Sequence, residues 1–284
     1  MWYPTTASGE RVRFANYVGS DRDGLSKFLT GAGLATSTVD SLFESPLHAI
    51  ASAPPSPDSV PLILVAQGNG QNAADQVVLC EYLASHGFAV ATTPSPMRRK
   101  PMEREDQMAE FAETQASELL AAIPVIATTI PVDTMRIGVV GHSFGARPAL
   151  LMAMRSPNVR AIVSLDGGIG TATAVELFRA APSFRQAARI PPLLHFYETL
   201  DSFMKPDFTL LESLTTAQLV LTPTQHMHHS HFTTYGFAAA TFPSIAKVTR
   251  ATAGTRAAVN EVLTATLAFL ERHLARTSSA HPAS

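Results

Sequence analysis

The sequence predicts an α/β domain built on a mostly parallel central sheet with helices on both faces. Two observations carry this: short continuous apolar runs recur along the chain, and segments of helical spacing separate them. A strand covered by helices on both sides reads as such a run, because neither of its faces meets water. The 284 residues suit one large domain, and a single domain is expected over 1–284.

Met1-Trp2-Tyr3-Pro4-Thr5-Thr6 lacks the charged start and apolar stretch of a signal peptide and reads as the tail of a strand. The chain is therefore expected to begin inside its first sheet hairpin, with the first strand or strands of the fold and any export signal upstream. Residues 1–60 form an irregular part, with short helices over 23–30 and 38–43 and a turn-rich connector at 53–58. Leu62-Ile63-Leu64-Val65-Ala66, bounded by Pro61 and Gly68, is the first clear strand. A helix over 74–85 ends at Gly87, and 88–92 is the second strand. Residues 103–123 have helical spacing; 135–140 is the third strand, with a helix over 147–155 behind it. Three more strands fall at 159–165, 193–197 and 218–221. The stretch between the first two of these predicts a partial cap over 171–190. Val259, Val262, Leu263, Leu267, Leu270 and Leu274 form the stripe of a docking helix, and 276–284 is a frayed tail.

Composition narrows the function. The net charge is −2, with no basic field to hold a phosphate backbone, so nucleic-acid binding is not expected. Arg98-Arg99-Lys100 reads as a solvated loop. Cys80 is alone in an apolar helical run and reads as a buried, inert thiol. No run of ~18 apolar residues is present, so no transmembrane segment is expected. As given, the chain suits the cytoplasm; an upstream signal would make it secreted or periplasmic.

The sharpest motif is Gly141-His142-Ser143-Phe144-Gly145, directly after a strand and directly before a helix. A serine on a tight strand-to-helix turn sits in strained backbone geometry, and only small residues two positions either side let the turn close. The turn lifts the hydroxyl above the sheet. Pro148 falls in the first helical turn, where its missing N–H costs little.

A serine needs a base to take its proton, and the base needs an acid to orient it. Asp166 ends one strand; Asp201 lies a few residues past the next, and Asp207 is further along the same loop. The residues alone leave Asp166 and Asp201 as equal candidates. The base comes from His226, His228, His229 or His231, which crowd the loop after the last strand. Two of these could point the same way toward a metal, but that loop holds no carboxylate or cysteine to complete a site. Acyl transfer also needs N–H donors for the oxyanion. Phe144 supplies one from the elbow, and Asn69 in Gln67-Gly68-Asn69-Gly70 is the candidate for the second.

These residues carry a resemblance. The stretches 61–70, 83–91, 141–145 and 165–168, with His229-Ser230-His231-Phe232, are similar to α/β-hydrolases of one branch. That branch contains platelet-activating-factor acetylhydrolases, dienelactone-hydrolase-like proteins and polyester hydrolases. The resemblance implies Ser143 as nucleophile, Asp166 as acid, His229 as base, and backbone donors at Asn69 and Phe144. It departs at Gln67-Gly68, where the branch usually has His-Gly supporting the oxyanion loop. The expected activity is a serine esterase acting through an acyl-enzyme on a small-molecule or lipid-like ester, without metal or organic cofactor. The alternatives are an acyltransferase, a lactone or peptide hydrolase using the same serine, or a non-catalytic binding protein of this fold. Leu177, Phe178, Phe184, Phe203 and Phe208 are apolar residues that could border the substrate.

Overall fold

A computed structural model of the chain describes residues 1–100, 102–185, 188–200 and 204–276. Its centre is a six-stranded sheet of β1 (Val60–Ala66), β2 (Ala89–Thr92), β3 (Val132–His142), β4 (Val159–Leu165), β5 (Leu193–Glu198) and β6 (Leu219–Thr224). The strands are all parallel, in the order β6-β5-β4-β3-β1-β2. From β1 the chain first steps outward to β2, then crosses back to lay β3 on the other side of β1. That reversal falls between the carboxyl ends of β1 and β3, the position where open α/β sheets gather ligands.

The alternation of side chains along each strand divides the core into two layers. On one face Ile63, Val65, Val90, Val140 and Val163 pack under helices α1 (Val77–Ser85) and α5 (Thr255–Leu274). On the other, Leu62, Leu64, Ala89, Val139 and Ile162 pack under α2 (Met108–Thr129) and α3 (Ala146–Arg155). Cys80 is buried on α1, and burial pushes its thiol well above the usual range. The stripe read along the last helix is the docking face of α5, and Leu270 near its carboxyl end is fully buried. Among the described residues no helix is long and apolar enough to cross a membrane.

Three segments differ from the expectation. β3 begins at Val132 rather than 135, and an irregular register against β1 absorbs the extra residues: Pro61 pairs with Asp133, but Leu62 pairs with Ile137. α2 starts at Met108 and runs through Pro124 to Thr129. Proline removes a helical hydrogen bond, but Pro124 lies on the exposed side, where the carbonyl left over can be hydrated. The opening residues pair with the sheet at one bridge: Trp2 and Val90 exchange backbone hydrogen bonds of 2.8 Å, antiparallel, at the edge of β2.

The amino-terminal part contains more regular structure than its sequence suggests. Arg11–Arg13 pairs antiparallel with Pro46–Ile50, and between them lie helices at Phe14–Val18, Arg22–Gly31 and Thr36–Phe43. Residues 171–190 hold the short helix α4 (Ala174–Arg179), and Arg189–Ile190 pairs with Thr215–Thr216. Phe178 is buried against Phe184, and Phe208 packs edge-on against Tyr197 and His195, so these rings belong to local core. Leu177 is half-buried. Asp201, Phe203 and the tail from 277 onward lie outside the described residues.

Truncating Leu270 to alanine removes contacts that join α5 to the sheet at Ile63 and Gly138. Urea unfolding of Leu270→Ala is expected to show a loss of ~2–5 kcal/mol with an unchanged m-value. A loss under ~0.5 kcal/mol would mean that the helix does not depend on this contact.

Candidate active site

Ser143 occupies the turn between β3 and α3 with φ +55°, a left-handed conformation that costs a non-glycine residue energy. Two glycines make the turn possible. A Cβ on Gly141 would lie 2.3 Å from the Gly145 carbonyl oxygen, and one on Gly145 would lie 2.0 Å from that of Ala66. The second contact seats the elbow directly against the end of β1. The nucleophile candidate is thereby fixed beside the loop that leaves that strand.

The structure brings Ser143, His229 and Asp166 into one line. His229 Nε2 is 2.9 Å from Ser143 Oγ, and His229 Nδ1 is 2.6 Å from Asp166 Oδ2. With the Nδ1–H donating to the carboxylate, Nε2 is the acceptor nitrogen of the ring and faces the serine hydroxyl. Exposure falls along the line, from a half-buried Ser143 and a His229 side chain 23% exposed to an Asp166 side chain at 2%. Asp166 sits just past β4 with φ +44°, its N–H donating to the Phe196 carbonyl at 2.9 Å. Its Oδ1 accepts the backbone N–H of Glu198 at 3.1 Å. The elbow is tied to the same loop, since Gly168 N–H donates to the Ser143 carbonyl at 2.9 Å.

The four histidines of the base loop take separate places. Only His229 reaches the serine. The His226 carbonyl accepts Thr255 Oγ1 at 2.7 Å, with the residue at φ +61°. His228 Nδ1 lies 3.6 Å from the buried Glu198 carboxylate, and its backbone N–H donates to His231 Nδ1 at 2.9 Å. His231 N–H donates back to the His228 carbonyl at 2.8 Å, closing the short turn that carries His229. Among the described residues no three His, Cys, Asp or Glu side chains are grouped to hold a metal ion.

Asn69 is exposed on the loop after β1, and Phe144 is buried behind Ser143. The loop is gripped from outside by Arg98, whose Nη1 donates to the Gly70 carbonyl at 2.9 Å, and by Ser95 N–H, which donates to the Gln71 carbonyl at 2.9 Å. Arg98 also pairs with Asp21, so the first of the three basic residues has a fixed place on its exposed loop. Gln67 is fully buried; its Nε2 donates to Thr92 Oγ1 at 2.9 Å, and its carbonyl accepts Gln115 Nε2 at 3.3 Å.

Four site residues escaped the sequence reading. Glu198 closes β5 and was legible only as the first carboxylate after that apolar run. Gln71 and His142 looked like a loop residue and a motif spacer; in the structure they face each other across 3.1 Å. Arg147, in the first turn of α3, is buried with its guanidinium against Gly168. Burial lowers its pKa to about 10, so it stays charged at neutral pH.

Burial also pushes His142 down to about 3 and His195 and His231 down to about 4. These rings are neutral in the folded protein, whereas an unfolded histidine binds its proton near ~6.5. Below that value the unfolded chain holds more protons, so stability is complete above it and falls as pH drops toward the folded values. Thermal melts between pH ~7.5 and ~5.5, above the carboxylate range, are expected to show a falling midpoint. A midpoint that rises on acidification would contradict the buried neutral assignment.

A family model described as the dienelactone hydrolase family matches residues 47–273. Among curated proteins no sequence matches the chain. Among solved structures, a ferulic acid esterase from Streptomyces cinnamoneus superposes with a TM-score of 0.69 at 23% identity, over 99% of this chain and 85% of that one. At that identity the likeness speaks for the fold.

Proposed function

The chain belongs to the dienelactone hydrolase family of the α/β-hydrolase superfamily, and from that premise we propose that it is a serine ester hydrolase working through an acyl-enzyme. The family and the esterase-like fold suggest a hydrolase. What supports the finer reading is the unbroken line from the Asp166 carboxylate through His229 to Ser143 Oγ.

The roles follow from that line. Ser143 Oγ attacks the ester carbonyl as His229 Nε2 takes its proton. Asp166 holds the imidazole tautomer and stabilises the imidazolium. The oxyanion that forms is met by the backbone N–H groups of Asn69 and Phe144, a pair of donors whose loss typically costs ~10²–10³ in rate for each. His229 then passes the proton to the departing alcohol. In the second half a water gives its proton to His229 and attacks the acyl carbonyl. Collapse returns the proton to Ser143 and releases the carboxylic acid. The whole chain acts as one domain in this reading, with residues 171–190 as a partial cap. The substrate is a small or apolar acyl ester.

Release of p-nitrophenol from acetate and butyrate esters tests the reading. Ser143→Ala is expected to lower kcat by at least ~10⁴-fold while the protein melts as the wild type does. Hydrolysis that survives the substitution would remove Ser143 from the mechanism.

A further inference from the structure

The departure at Gln67 raises a question about the loop that carries Asn69, because a glutamine stands where the branch usually has a histidine supporting it. In this chain the loop closes on a different side chain. Gly68 N–H donates to Gln71 Oε1 at 2.7 Å, and Gln71 N–H donates back to the Gly68 carbonyl at 3.2 Å. The turn 68–71 is thus pinned from inside, with Asn69 at its outer corner and Gly70 at φ +67°. A Cβ on Gly68 would lie 2.6 Å from Gln71 Oε1, so the pin requires glycine there.

The same oxygen faces His142. Its Nδ1 lies 3.1 Å from Gln71 Oε1, its Nε2 lies 3.3 Å from the His229 carbonyl, and the two imidazole rings pack against each other, tilted by 32° with centroids 4.8 Å apart. Because Gln71 Oε1 already accepts from Gly68, the amide orientation is fixed and that atom is an acceptor. The His229 carbonyl is an acceptor as well. A neutral imidazole has one N–H to give. With the proton on Nδ1, His142 reinforces the oxyanion loop; with it on Nε2, His142 holds the backbone of the base. Burial keeps the ring from carrying two protons.

We propose that Gln71 and His142 are positioning residues: Gln71 pins the oxyanion loop, and His142, wedged between Gln71 Oε1 and the His229 carbonyl, donates to one of them at a time while its ring packs against His229, so that the Asn69 N–H and the His229 imidazole are set in register around Ser143. The inference rests on the serine-hydrolase reading and adds a specific link to it. Neither residue touches the reacting atoms. Their effect belongs to the chemical step and to reaction with a transition-state mimic, rather than to substrate affinity.

The test compares the wild type with Gln71→Met, which keeps length and loses the acceptor, and Gln71→Glu, which keeps the acceptor. Turnover of p-nitrophenyl butyrate is measured alongside the rate at which a fluorophosphonate probe labels Ser143. For Gln71→Met, kcat is expected to fall ~10–100-fold with KM within ~3-fold, and labelling to slow in parallel. Gln71→Glu is expected to recover most of both rates. His142→Asn, which keeps a donor at the Nδ1 position and loses the tie to His229, stands in if Gln71→Met does not fold; its kcat is expected to fall at steady KM. Folded Gln71→Met or His142→Asn with wild-type kcat, a loss confined to KM, or a Gln71→Glu no better than Gln71→Met would overturn the link. A wild type that turns over no ester and takes no label would overturn the serine-hydrolase reading itself, and the link with it.

Discussion

The contact on which the site depends is the seating of the elbow against β1. With a Cβ on Gly145 falling 2.0 Å from the Ala66 carbonyl oxygen, only a glycine lets α3 start where it does. That closeness has two consequences. It holds Ser143 at φ +55° on a turn that the flanking strand and helix overdetermine. It also places the serine at the sheet's point of reversal, beside the loop leaving β1, so that an attacking oxygen and N–H donors from two strands can share one crevice.

Around that point the structure separates what must be reactive from what must be rigid. His229 faces the serine on one side and a deeply buried carboxylate on the other. The neighbouring histidines hold the loop that presents it: His228 against Glu198, His231 across the short turn, and His142 behind the His229 carbonyl. Glu198 serves both partners, giving its backbone N–H to Asp166 and its side chain to His228. Hydrogen bonds within the histidine-rich loop, between His228 and His231, fix the short turn that carries His229.

Much of the fold was legible because β1, β3 and β4 are buried on both faces and read as apolar runs, and because the elbow needs two glycines at fixed spacing. Ser143, His229 and Asp166 stand together in the structure, though the residues alone left Asp166 level with Asp201 and one histidine undistinguished among four. What stayed hidden has a common cause: its signal is a polar contact between residues far apart in the chain. Glu198 meets His228, Gln71 meets His142, and Arg98 meets Gly70, none of which leaves a periodic trace. The amino-terminal helices were only partly legible because they are short and mixed in polarity. Pro124 reads as a stop in a sequence, but on an exposed helix face it is only a lost hydrogen bond.

The most direct test of the account is a crystal structure of the protein after reaction with a phosphonate ester. Phosphorus bonded to Ser143 Oγ, with its free oxygen about 2.7–3.1 Å from both the Asn69 and Phe144 N–H groups, is the predicted result. An adduct on another residue, or an oxygen turned away from the loop after β1, would contradict the central claim that the elbow and that loop form one catalytic centre.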